Sequence, residues 1–122
     1  MATKFTGLLE KTTHVYSCTI KDENDTAVPA AQLNTLTLTL YAVQTGTIIN
    51  SRSQQNILNA NNVTVNSSGV LTWTMQPNDN IIVNDALDEE THVALFEWTY
   101  SSGTKAGKHE VKFVIQNLAK VS

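Results

Sequence analysis

Leucine and threonine alternate strictly over residues 35–42, so that Leu36, Leu38, Leu40 and Ala42 fall on one side and Thr35, Thr37 and Thr39 on the other. A period of two is the signature of a half-buried strand, whereas a helix would scatter those leucines around its axis. The β-branched threonines favour the same state. The pattern recurs along the chain. Over 14–20, His14, Tyr16, Cys18 and Ile20 share one face and Val15, Ser17 and Thr19 the other. Over 70–75, Leu71, Trp73 and Met75 oppose Thr72 and Thr74. Over 91–100, Phe96, Trp98 and Tyr100 face one way and Val93, Leu95 and Glu97 the other. Apolar residues on both faces of that stretch predict a central strand whose second face is also covered. Over 108–116, His109, Val111, Phe113 and Ile115 alternate with Glu110, Lys112, Val114 and Gln116. Shorter strands are predicted over 47–51, 63–65 and 81–83.

Turn-forming clusters separate these runs: residues 22–25, 66–69, 77–80 and 101–103 are built, apart from Glu23, from Asp, Asn, Ser, Pro and Gly. The loop 101–107 joins two long alternating segments, which predicts a hairpin over 91–116. Strands at this spacing predict an all-β sandwich of seven or eight strands, with both tryptophans and Phe113 in its core. A single helical turn over 54–60 is the only helix expected. With 122 residues and no repeat or composition shift, the chain is expected to form one domain over 1–122. Residues 1–10 are expected to serve as an N-terminal arm or an edge strand.

Composition narrows the function. A formal net charge of -3 offers no basic excess for phosphates, so nucleic acid is not expected as a partner. The longest apolar runs are short and interrupted, so no membrane span is expected. Residues 1–5 carry no apolar secretion signal, which predicts synthesis in a cytoplasm, and the Asn62 and Asn66 sequons then mean only Asn-rich turns. The single cysteine, Cys18, has no internal disulfide partner and no zinc-ligand spacing, and is expected to be a small buried side chain.

No catalytic pattern emerges. His14, His92 and His109 lie in three different predicted strands, and none has a second ligand at metal-binding spacing. A triad assembled across the fold stays open, but no strained nucleophile motif supports it. The acidic runs 22–25 and 85–90 lack the alternating ligands and central glycine of an EF-hand loop, and solvated turns are the expectation for both. No cofactor, metal or catalytic residue is therefore expected.

The polar faces are more informative. Thr35, Thr37, Thr39, Thr72 and Thr74 predict a neutral, hydroxyl-rich sheet surface. Free strand edges normally carry Lys, Pro or a bulge. The Leu/Thr strand has none of these, so it is expected inside its sheet, with a covering partner as the alternative. Phe5, Leu8 and Leu9 make the amino-terminal segment too apolar for a free tail, and it is expected to complete a sheet of its own domain or to add to a neighbour's. Those eight residues are the candidate protein interface.

The order of the runs 16–23, 28–30, 36–41, 47–52, 69–73 (Gly-Val-Leu-Thr-Trp), 92–98 and 107–113 resembles the Ig-like structural proteins of tailed bacteriophages. In outline it is similar to the amino-terminal Ig-like domain of phage upper-baseplate proteins. The resemblance covers most of the chain but consists of strand patterns. It implies an Ig-like antiparallel sandwich working in a virion: capsid decoration, head–tail joining as a connector, or a tail component. Its partners would be other virion proteins and copies of itself, assembled in the bacterial cytoplasm. It brings no catalytic residues. Two other functions remain: a host-surface or carbohydrate-binding module, which would need exposed rings such as Trp98 and Tyr100, and a small enzyme, which would need converging polar groups in a pocket.

Overall fold

The computed structural model describes residues 3–83 and 88–117, with side chains from residue 8 onward. The alternating runs form strands β1 (Thr3–Leu9), β2 (His14–Thr19), β3 (Leu33–Ala42), β4 (Gln55–Asn56), β5 (Val63–Val65), β6 (Val70–Met75), β7 (Glu89–Tyr100) and β8 (Lys105–Gln116). They make two sheets, one of five strands in the order β1-β8-β7-β3-β4 and one of three in the order β2-β6-β5. This is an all-β sandwich. The three-stranded sheet matches the B, E and D positions of an Ig-like fold, and β8, β7, β3 and β4 match G, F, C and C′.

The Leu/Thr strand β3 lies inside its sheet, between β7 and β4, as its lack of edge protection required. β7 is central, and Val93 on its outer face is buried. β7 and β8 form the expected hairpin, paired without a break from Glu89↔Gln116 to Tyr100↔Lys105. Ser101, Ser102 and Gly103 all take positive φ at its tip, where small residues tolerate that conformation.

The amino-terminal segment completes the chain's own sheet. β1 pairs with β8, and it runs parallel, so the sandwich is antiparallel except at this pair. Having paired along β8, the chain crosses at residues 10–13 to begin β2 in the other sheet; strands in different sheets need no hairpin.

Three local expectations are corrected. Residues 47–51 form no strand: Ile48 makes one bridge to Tyr41, and positive φ at Asn50 and Ser51 ends the extension. Residues 54–60 form no helical turn. Gln55 and Asn56 pair with β3, and Asn56 then accepts from the Leu58 amide and from Asn61, folding the chain into turns. Residues 81–83 form no strand, and Ile81, Ile82 and Val83 pack half-buried against the core. Short 3-10 turns occupy Ala30–Gln32 and Pro77–Asn80.

The core lies between the sheets. Leu36, Leu38 and Leu40 project from one side, and Leu71, Trp73 and Met75 from the other, all fully buried. Trp73 meets Phe96 and Phe113 edge-on, with ring centroids 5.9 Å away in each case. Tyr16 stacks on Phe96 at 6.0 Å. Aromatic contacts of this geometry add about 0.5–1.5 kcal/mol each beyond the area they bury. Trp98 is also buried and lies over Gly107, where a Cβ would come within 2.6 Å of the indole ring.

Candidate interaction surfaces

The five threonines expected to share one surface lie on two opposite sides of the molecule. The leucines of β3 and the bulky residues of β6 point toward each other into the core, so their threonines point away from each other. Thr35, Thr37 and Thr39 lie on the outer face of the five-stranded sheet, and Thr72 and Thr74 on that of the three-stranded sheet. Of the amino-terminal candidates, Leu8 is buried within the chain's own core and Leu9 is 42% exposed. Phe5 sits in β1 opposite Phe113, and its side chain lies outside the described residues.

The outer face of the five-stranded sheet is occupied by its own contacts. Thr35 and Thr99 hydroxyls are 2.7 Å apart across β3 and β7, and Thr39 accepts from the Gln54 amide at 3.0 Å. Glu97 and Lys108, directly paired across β7 and β8, approach to 3.4 Å. Glu110 and Lys112 add further charge on the same face. Between Thr35, Thr37, Gln54, Glu97, Thr99 and Lys108 lies an open depression of about 320 Å³, where hydroxyls and an ion pair border the apolar surface of Trp98, Ala106 and Gly107.

The outer face of the three-stranded sheet is different in kind. It carries Val15, Ser17 and Thr19 from β2, Val70, Thr72 and Thr74 from β6, and Thr64 from β5. None is charged. Val15 is 58% exposed, more than any other large hydrophobic residue among those described. The backbone of this sheet also ends abruptly. Thr74 donates to the Asn62 carbonyl and Val70 accepts from Asn66, so even-numbered β6 residues bond toward β5 and odd-numbered ones toward β2. Their β2 partners are His14, Tyr16 and Cys18. Among the described residues no strand pairs on that side of β2, so the N–H and C=O groups of Val15, Ser17 and Thr19 point outward along a free edge.

Among the described residues, the most heavily hydrogen-bonded polar group is one that no alternation marks. Arg52, the only arginine in the chain, is 2% exposed, and Asp79 is fully buried. Arg52 Nε donates to Asp79 Oδ1 at 2.6 Å and Nη2 to Oδ2 at 3.1 Å. The remaining guanidinium hydrogens go to Gln55, the Asn61 carbonyl and Asn62. Asp79 also accepts from Asn50 and from the Gln76 amide. Every donor of the fork is matched, and the guanidinium lies 5.6 Å from the Trp73 ring centre. The pair ties the loop after β3 to the turn after β6, and so one sheet to the other. A lone arginine was the available signal, but its partner lies 27 residues away in a turn read only as Pro-Asn-Asp-Asn.

The remaining polar groups serve local structure. His92 and Glu90 are buried with Nε2 and Oε1 2.6 Å apart, and Glu90 also caps the Val83 amide. Burial pushes the His92 pKa down despite the neighbouring carboxylate. Tyr16 and His109 are hydrogen-bonded at 2.7 Å between the sheets, and burial lowers the His109 pKa. Cys18 is half-buried, and burial raises its thiol pKa, which disfavours the thiolate. In the acidic loop, Asp22 accepts from the amides of Asn24 and Thr26, and Lys21 pairs with Asp25. Glu23 bonds Lys105 and Tyr100, and Lys105 foremost holds its pKa down to about 2. The second acidic run begins at Asp85, outside the described residues.

Trp98 and Tyr100, the rings that a glycan site would need in the open, are each 7% exposed. Among the described residues, no group of three or more His, Cys, Asp or Glu side chains is placed to hold a metal ion. No helix there is long and apolar enough to cross a membrane. No family model matches the chain, and no curated protein or solved structure matches it.

Proposed function

We propose that this chain is a non-enzymatic structural protein of a tailed-phage virion, acting by protein–protein assembly as a capsid decoration, connector or tail component. The observation that carries the reading is the outer face of the three-stranded sheet, an uncharged surface of Val and Thr bordered by a free strand edge. A surface of this kind is suited to burial: its hydroxyls can pair across an interface and no charge must be desolvated. The sequence resemblance to phage Ig-like proteins supplies the setting. The polar clusters inside the fold are engaged in holding loops and sheets together, which favours a rigid assembly part over a catalyst.

The test is cosedimentation of the purified protein with capsids and with tails of the phage whose genome carries it. Saturable binding to one of them, lost on Thr72→Lys with Thr74→Lys, is the expected result. No binding to either particle, or binding indifferent to that change, refutes the reading. The same protein on a glycan array separates the carbohydrate-binding alternative.

A further inference from the structure

We infer that two copies of this chain join edge to edge through β2, antiparallel and centred on Ser17, to build one six-stranded sheet. Among the described residues the two sheets have four outer strands, and three are blunted. β4 and β5 are only two and three residues long. β1 carries Lys4 and Gly7, and its register slips between Phe5 and Leu8. β2 has six residues in unbroken register with β6 and contains no Lys, Pro or bulge. Long, unguarded edges of this kind pair with other strands unless something prevents it. The place beside β2 is also one that a sandwich can fill, since an Ig-like constant-type sheet carries a further strand there. Here β1 lies against β8 in the opposite sheet instead.

The register follows from which groups are free. Only Val15, Ser17 and Thr19 direct their N–H and C=O groups outward. Centring the pair on Ser17 sets Ser17 against its own copy and Val15 against Thr19 twice. All three edge residues are then satisfied, with about six interchain hydrogen bonds, two for each facing pair. Inner residues meet inner ones, Tyr16 against Cys18, so the core face stays continuous. Shifting the centre to Tyr16 leaves Thr19 opposite Thr13, beyond the strand. Shifting it to Cys18 sets Val15 against Lys21. The Ser17 centre opposes no like charges, because Lys21 faces Thr13. This self-complementarity selects a second copy over a foreign strand. The inference stands apart from the virion reading, since the contact needs no particle.

The test is the molar mass of the whole protein by light scattering across a dilution series. The Ser17 amide faces outward with no bond from the described residues, so proline is tolerated there as at other sheet edges. Far-ultraviolet circular dichroism checks that Ser17→Pro still folds. We expect a concentration-dependent dimer, weakened at least about tenfold by Ser17→Pro through the two hydrogen bonds lost per dimer. In a Cys18→Ser background, Ser17→Cys should form a disulfide-linked dimer on mild oxidation, because facing Cα atoms about 5.5 Å apart are within bridging reach. A monomer at every concentration, a dimer indifferent to Ser17→Pro, or cross-linking by Val15→Cys in place of Ser17→Cys would each overturn the inference. So would a monomer that gains mass only with another virion protein, which would assign the edge to a foreign strand.

Discussion

The two sheets of this sandwich bury the same kind of residue on their inner sides but treat the outside differently. The five-stranded sheet rests on long pairing, unbroken between β7 and β8 and in register between β3 and β7 from Thr35 to Ala42, and its outer face is laced with Glu97, Lys108, Glu110 and Lys112. The three-stranded sheet has shorter strands, an outer face without a charge, and a free edge. It is held by the Trp73 cluster and by the Arg52–Asp79 pair at its end. One side is finished as a solvent surface, and the other is left suitable for a partner.

Removing the tie between the sheets should have the largest effect. Arg52→Leu leaves the Asp79 carboxylate buried without its partner, and losses of this kind cost about 3–5 kcal/mol. Urea denaturation measures the total. Amide exchange should show β5 and β6 losing protection before β7 and β8, and simultaneous loss would break the comparison. Combining Arg52→Leu with Asp79→Leu should recover much of the stability, because the uncompensated charge is gone.

Gly107→Ala probes the five-stranded side. The added methyl meets the Trp98 ring, and overpacking of this size costs about 1–3 kcal/mol. A thermal melt unchanged from the parent would show that the indole can move aside.

A pH effect comes next. His92 and His109 have pKa values lowered by burial, so near pH 6.5 the unfolded chain binds more protons than the folded one. Stability should be full above the ordinary histidine value and fall as pH drops below it toward the depressed values. His92→Gln, which can keep a hydrogen bond to Glu90, should flatten that slope. Glu23 works at lower pH: its contribution should be lost between about 4.5 and about 2. The smallest effect belongs to the charged face, where Glu97→Gln should change stability by no more than about 1 kcal/mol, as exposed ion pairs do.

Most of the architecture was legible from alternation. Leu36, Leu38, Leu40, Leu71, Trp73 and Phe96 were placed by period two, and β6 and β5 have the predicted bounds. The misses have physical causes. Residues 47–51 carry strand-like side chains, but positive φ at Asn50 and Ser51 interrupts them, and the helical turn expected over 54–60 gives way to positive φ at Gln54 and Asn59 and to pairing of Gln55 and Asn56 with β3; no periodicity reports a dihedral angle. The threonine surface was misdrawn because alternation assigns a face to each strand without saying which sheet the strand joins. The free edge of β2 and the Arg52–Asp79 pair depend on contacts across the fold, so local pattern could not reach them.

Residue-resolved amide exchange of β2, in dilute protein and again in the associated state, tests whether the three-stranded side is the one that assembles. Fast exchange is expected at Val15, Ser17 and Thr19 in dilute protein and marked protection on association, with β7 protected in both. Protection at those three amides in the dilute single chain, or association that changes only the charged face, would contradict it.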